Sequence, residues 1–261
     1  MTTPAPSVKS SGTLAGLKNV LNCYNLVNRL IDRPSGVPGL GVMHGESGIG
    51  KSYATIYAQN KTRAIRVEVG ESWTKAVFLK AVLREGGVPD PRGTVASLAE
   101  QAIMLLGDDP RRPLIIDEAD KLVDKKMIEL VRELHEHSQV PILMVGEEQL
   151  PKKLMAIERV HNRVLDWLPA ARCDLEDCRK LAAIFLPAVA IDDALLDHVR
   201  QEGDGRARRV VVTLTNMADW ARNRGCKALD RSTYDGKVFT GRPPVRRDLP
   251  VQLLKIAGGV A

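Results

Sequence analysis

Eight residues, Gly45-Glu46-Ser47-Gly48-Ile49-Gly50-Lys51-Ser52, have the types and spacing that hold a nucleotide phosphate. They fit G-x-x-x-x-G-K-S/T. Glycines let the backbone wrap so that its N–H groups converge on phosphate oxygens, and a helix beginning there adds the positive end of its dipole. Lys51 then reaches the β- and γ-phosphates, and Ser52 offers its hydroxyl to Mg²⁺. Downstream, "PLIIDEAD" runs from an apolar stretch into Asp117 and Glu118. A carboxylate at a strand tip can hold Mg²⁺, directly or through its water, and a second can orient and deprotonate an attacking water. Taken singly, these are also a glycine turn and two helix N-terminal acids. Two such motifs in this order imply a site for ATP, or a close relative, with Mg²⁺.

The elements that must position these residues follow from apolar spacing. "LGVMHG" is a short apolar run feeding the glycine loop, which reads as a buried strand, and "SYATIYAQN" continues as a helix. "AIRVEVG" reads as a second strand, "TKAVFLKAVLREGG" as a helix stopped by Gly86 and Gly87, and "TVASLAEQAIMLLG" as another helix. "PLIID" is a third strand, "KKMIELVRELHEHS" a helix and "PILMVG" a fourth strand. Strands alternating with helices predict an α/β fold, a parallel sheet sandwiched by helices. Upstream, Leu14, Leu17, Val20, Leu21, Tyr24, Val27 and Leu30 are spaced for an amphipathic helix. After Asp174 no strand pattern is evident. "DLEDCRKLAAIFL", "DDALLDHVRQ" and "RARRVVVTLTNMADWARN" read as three helices of a smaller all-helical unit, although "VVVT" is β-branched. "YDGKVFTG" has the composition of a hairpin. The resulting division is a disordered arm at 1–12, an ATPase core with its N-terminal helix at 13–170, a helical unit at 171–225 and a basic tail at 226–261.

Composition narrows the function classes. Of 38 Lys and Arg, 13 lie from Arg200 onward against 6 of the 32 Asp and Glu, which leaves 25 against 26 before that point. All of the net charge of +6 therefore belongs to the last quarter, and a localised basic surface implies a polyanionic partner. No apolar run approaches the roughly 20 residues that span a bilayer, which argues against a membrane role. The start "MTTPAPSVKSSGTLAGL" lacks the form of a secretory leader. The four cysteines include no C-x-x-C pair and imply reduced thiols in a cytoplasmic protein.

The phosphate loop, "DEAD" after the third strand, a fourth strand ending "MVG", arginines soon after and a helical unit together resemble an AAA+ ATPase. The resemblance implies strand order 5-1-4-3-2, an active site between subunits, and an arginine reaching the γ-phosphate of the next subunit. Arg163 and, second, Arg159 in "LMAIERVHNRVLDWLP" match that role. In the lid, "GRARRVVVTL" places Arg208 at the nucleotide-sensing position, with Arg206 as the alternative, while Arg206, Arg208 and Arg209 also form a basic cluster suited to DNA. One departure stands out. The family's fourth strand usually ends in a neutral polar residue, whereas "VGEEQL" puts Glu147 there. Either Glu147 points away from the γ-phosphate, or repulsion slows hydrolysis.

The short N-terminal helix, "GIGKS" and the "ARRVVVTLTNMADWAR" lid further resemble transposition ATPases of the MuB and TnsC type. That resemblance implies ATP-dependent, sequence-nonspecific binding of double-stranded DNA, self-association into a ring or helical filament, and recruitment or activation of a transposase. Nonspecific duplex binding needs cations spaced along phosphates. The segment after the second strand offers Ser72, Thr74 and Lys75, with Trp73 favoured as a core anchor. Lys125 and Lys126 form a second group, and Arg242, Arg246 and Arg247 a third or a docking tail. A helicase loader or replication-initiation ATPase, and an ATP-binding scaffold with little hydrolysis, are the alternatives.

Overall fold

The computed structural model describes residues 16–243. The arm at 1–12 lies outside them. Helix α1 (Lys18–Ile31) turns Val20, Cys23, Val27 and Leu30 inward at helical spacing. The chain continues through β1 (Leu40–His44), α2 (Lys51–Thr62), β2 (Ile65–Glu68), α3 (Lys75–Gly86), α4 (Val95–Gly107), β3 (Leu114–Asp117), α5 (Asp120–Asp124), α6 (Ile128–Ser138), β4 (Ile142–Gly146), α7 (Leu150–Met155), α8 (Glu158–His161) and β5 (Val164–Pro169). The five strands form one parallel sheet in the order β2-β3-β4-β1-β5, the order the AAA+ resemblance implies. Strand side chains alternate between faces. Val42, Val67, Ile116 and Met144 pack on one side against α3, α4 and α6, while Met43, Ile115, Leu143 and Val145 pack on the other against α1 and α2.

A separate apolar cluster holds α9 (Leu175–Phe185), α10 (Asp193–Glu202) and α11 (Ala207–Arg224) together, with Leu181, Leu196, Val210 and Leu214 buried. The β-branched run lies inside α11, because Val210 and Thr213 face that core. Asp174 and Asp192 cap α9 and α10 by accepting the backbone N–H of Asp177 and Leu195 at 2.8 and 2.9 Å.

Several local expectations change. The helix anticipated from Lys125 begins at Ile128, because Lys126 takes a left-handed φ of 55° and separates α5 from α6. Strand β5 carries no clean apolar alternation. It lies at the sheet edge, half-buried, with Asp166 in its middle. After Asp174 two short strands do form, β6 (Ala190–Ile191) and β7 (Ala228–Leu229), paired in parallel. The hairpin expected at "YDGKVFTG" is absent. Tyr234 instead packs edge-on against Trp220 at 5.4 Å, and Asp235 accepts from Trp220 Nε1 at 2.8 Å. Among the described residues no helix is long and apolar enough to cross a membrane.

Candidate nucleotide site

The ends of β1, β3 and β4 open on one side of the sheet, where parallel α/β sheets bind ligands. The loop after β1 leads into α2 through Gly48 and Gly50, whose φ values of 81° and 98° belong to glycine's left-handed range. Gly50 is the N-cap, so α2 starts at Lys51 with free N–H groups facing the loop. Lys51 Nζ donates to the carbonyls of Gly45 and Glu46 at 2.6 and 2.8 Å, which holds its ammonium inside the loop. Burial lowers its pKa, opposed by the carboxylates of Asp117, Glu118, Glu147 and Asp120.

These groups border a cavity of about 400 Å³, within the size range of nucleotide and drug sites. Ser47, Gly48, Ile49, Gly50, Lys51 and Ser52 line it from the loop, and Asp117, Glu118 and Glu147 from the strand ends. Leu17, Val20, Leu181, Phe185 and Val211 supply apolar surface from α1, α9 and α11 suited to a base. A polar cradle beside an apolar wall fits a nucleoside phosphate. Ser52 and Asp117 border the same space and offer the hard oxygen ligands that Mg²⁺ takes.

The lid reaches the loop directly. Arg208 N–H donates to Gly48 O at 2.9 Å, and Arg206 donates to Ser47 O at 2.9 Å. Arg206 also lies 3.3 Å from Glu46, whose carboxylate takes a two-pronged contact from Arg172 at 2.7 and 3.0 Å. Arg208 is exposed, borders the cavity and has no ion pair among the described residues. Arg206 is committed to the loop, so the two arginines are structurally distinct.

Three side chains around the site were not singled out by sequence. Arg66, on β2, donates to Asp117 Oδ2 at 2.7 Å. Asn19, on α1, donates to Ile49 O and Ala171 O at 2.9 and 2.7 Å, tying the loop to the chain after β5. Asp120 accepts the Glu147 N–H at 2.7 Å, which fixes the backbone of Glu147. Glu147 is exposed and borders the cavity, and its carboxylate is one of those that raise the Lys51 pKa. No pattern signals Arg66 or Asn19, because each acts on residues distant in sequence. Glu118 has φ 58°, a strained value for a non-glycine residue and one frequent at functional sites. Its carboxylate lies 3.6 Å from Lys121 Nζ.

Arg159 and Arg163 do not join this cavity. Arg163 O accepts from Leu40 N at the start of β1, the end of the sheet opposite the phosphate loop. Arg163 pairs with Glu136 and donates to Arg159 O at 2.8 Å. Arg159 is exposed and has no ion pair among the described residues. Thr74 caps α3 by accepting the Val77 N–H at 3.4 Å, next to exposed Ser72 and Lys75. Trp73 packs against the core. Lys125 lies 4.0 Å from Glu71, which directly precedes the Ser72–Lys75 segment, and Lys126 is exposed. Arg242 is exposed, and Arg246 and Arg247 lie outside the described residues.

Residues 35–154 match the family model described as AAA domain. No curated protein matches the chain in sequence. Among solved structures, the ORC2 protein of Aeropyrum pernix, described in ADPNP-ADP complexes, aligns with a TM-score of 0.65 at 15% identity, over 81% of this chain and 65% of its own. The Aeropyrum pernix ORC1 protein in complex with DNA aligns at 0.60 and 16% identity, over 82% of this chain and 62% of its own. Domain III of the Thermotoga maritima replication initiation protein DnaA aligns at 0.52 and 16% identity, over 88% and 95%. The chain thus spans less than two thirds of either ORC protein. Over residues 35–154 the chain is thus similar in sequence to an AAA domain, and over its remaining length the likeness is one of fold.

Proposed function

We propose that this chain is an ATP-controlled, sequence-nonspecific duplex DNA-binding ATPase that self-associates on DNA and recruits or activates a transposase. The observation that carries the first part is the cavity between phosphate loop and lid, where Arg206 and the Arg208 backbone touch the loop itself. Bound ATP with Mg²⁺ would supply the phosphoanhydride whose cleavage resets the assembly. Within the site, Lys51 neutralises phosphate charge, and Ser52 and Asp117 hold the metal. Glu118 takes the proton of the attacking water. Arg208 ties lid position to the nucleotide's phosphates. Arg159 or Arg163, remote from its own chain's cavity, serves a neighbouring subunit. Glu147 beside Glu118 keeps hydrolysis slow until DNA or a partner rearranges the site.

The DNA part is supported by the approach of Lys125 to Glu71, next to the Ser72–Lys75 segment, and by the basic last quarter of the chain. The transposase is supported by the MuB and TnsC resemblance of the motifs. A replication-initiation ATPase or helicase loader is the second reading, favoured by the fold shared with ORC2 and DnaA domain III. The test is fluorescence anisotropy of a random-sequence duplex with ATP, ADP or no nucleotide, beside Lys51→Ala. Binding only with ATP, lost in the variant, is expected, and Lys75→Ala should flatten the salt slope by about one. Nucleotide-independent binding, or preference for single strands, would move the assignment to a loader or scaffold.

A further inference from the structure

Arg66 stands in the middle of β2, on the face that packs against α2, with only 13% of its side chain exposed. A guanidinium so placed needs partners for its charge and donors. Its Nε donates to Thr55 Oγ1 at 2.8 Å, and Thr55 Oγ1 donates to Ser52 O at 2.7 Å. Another of its nitrogens donates to Asp117 Oδ2 at 2.7 Å and lies 3.4 Å from Glu68. The other Asp117 oxygen accepts the Glu118 N–H at 3.0 Å. Asp117 is 3% exposed, so its charge meets Arg66 with little screening. The same guanidinium therefore supports both candidate Mg²⁺-holding positions, Ser52 through Thr55 and Asp117 directly.

We propose that Arg66 is a positioning residue that sets how strongly the site holds Mg²⁺, by placing a fixed positive charge on the carboxylate that would ligate it. Asp117 keeps lone pairs free to meet a cation, since each carboxylate oxygen accepts more than one partner. Its net pull on that cation is reduced by the guanidinium. Mg²⁺ is then retained chiefly when nucleotide phosphates add their own charge, which makes metal and nucleotide enter together. Even at the dielectric of water, a unit charge held against the carboxylate that would ligate a divalent ion opposes that ion's binding by about fivefold or more. The inference rests on reading the cavity as a nucleotide site for Mg²⁺.

The test is the affinity of the chain for a fluorescent ADP analogue, measured in EDTA and across a Mg²⁺ titration. In EDTA, Arg66→Gln and Arg66→Lys should bind within about twofold of the unaltered chain, since the phosphate loop is intact. The Mg²⁺ midpoint should fall about fivefold or more in Arg66→Gln, which keeps a donor and removes the charge, and stay within about twofold in Arg66→Lys. An unchanged or raised midpoint in Arg66→Gln would overturn the proposal, as would an equal shift in both variants. In an Asp117→Asn background the charge of Arg66 still opposes the cation through space, so Arg66→Gln should lower the Mg²⁺ midpoint by about fivefold there too, and the absence of a shift would overturn the charge argument. That double variant leaves no unpaired buried ion, so it keeps the question answerable if Arg66→Gln alone fails to fold. Failure of the unaltered chain to bind the analogue, or binding indifferent to Lys51→Ala, would overturn the nucleotide reading and this inference together. A flat Mg²⁺ midpoint overturns only the role of Arg66.

Discussion

Burial holds Lys51 below its ordinary pKa while four carboxylates push the other way, so its charge is poised by its surroundings. The arginines near β5 are sorted by the same electrostatics. Arg163 shares Glu136 with Arg132, whereas Arg159 is exposed and free of such pairing among the described residues. A guanidinium that must reach another subunit's phosphate works best uncommitted. Arg159→Ala is therefore expected to lower the ATPase rate of the assembled protein by about 10³ while nucleotide binding and melting temperature hold. Arg163→Ala should lower the melting midpoint by about 2–4 °C with a smaller loss of rate. Steady-state ATPase assays beside thermal melts check this, and the opposite pattern would transfer the role to Arg163.

Secondary-structure elements meet the site through their ends, and the β4–α7 turn shows what that demands. Asp120, from the first turn of α5, reaches across to bond the Glu147 N–H. The approach is possible because position 146 has no side chain. A Cβ on Gly146 would stand 2.0 Å from Asp120 Oδ2 and 2.7 Å from Leu150 Cδ2. Gly146→Ala should therefore destabilise the fold by about 1–3 kcal/mol and displace Glu147. Urea denaturation measures the first effect, and a change within about 0.5 kcal/mol would mean that the turn has room to spare.

On the scale of the whole molecule, core and lid are joined by charge as well as by packing. Glu46 is held below its ordinary pKa by hydrogen bonds from Arg172 and then by the charges of Arg172, Arg206 and Arg209. Its ionised form is thus favoured in the folded chain. That contribution is present above the ordinary carboxylate value of 4.5 and lost as pH falls through the lower folded value. Glu46→Gln should melt lower than the unaltered chain at pH 7, and the two should converge as the pH falls through the lowered folded value of Glu46. A gap that stays constant across that range would show that the Glu46 charge does not join lid to loop.

Sequence alone determined the phosphate loop, the Asp117–Glu118 pair, four of the sheet's strands and the three lid helices, because each is encoded by neighbours in the chain. Glycines at fixed offsets, an apolar run of period two and a stripe of period 3.6 act locally, and local physics can be read in order. Strand β5 escaped that reading because an edge strand needs little apolar alternation. The break at Lys126 escaped because a left-handed lysine has no strong residue signal. Only the tertiary structure decided that Arg66 serves Asp117 across 51 residues and that Arg172 and Arg206 hold Glu46 across 126 and 160. It also separated Arg159 from Arg163 by their partners. The physical reason is common to all three. Ion pairs and hydrogen bonds depend on distance in space, which the chain acquires only when the sheet closes and the lid packs against it.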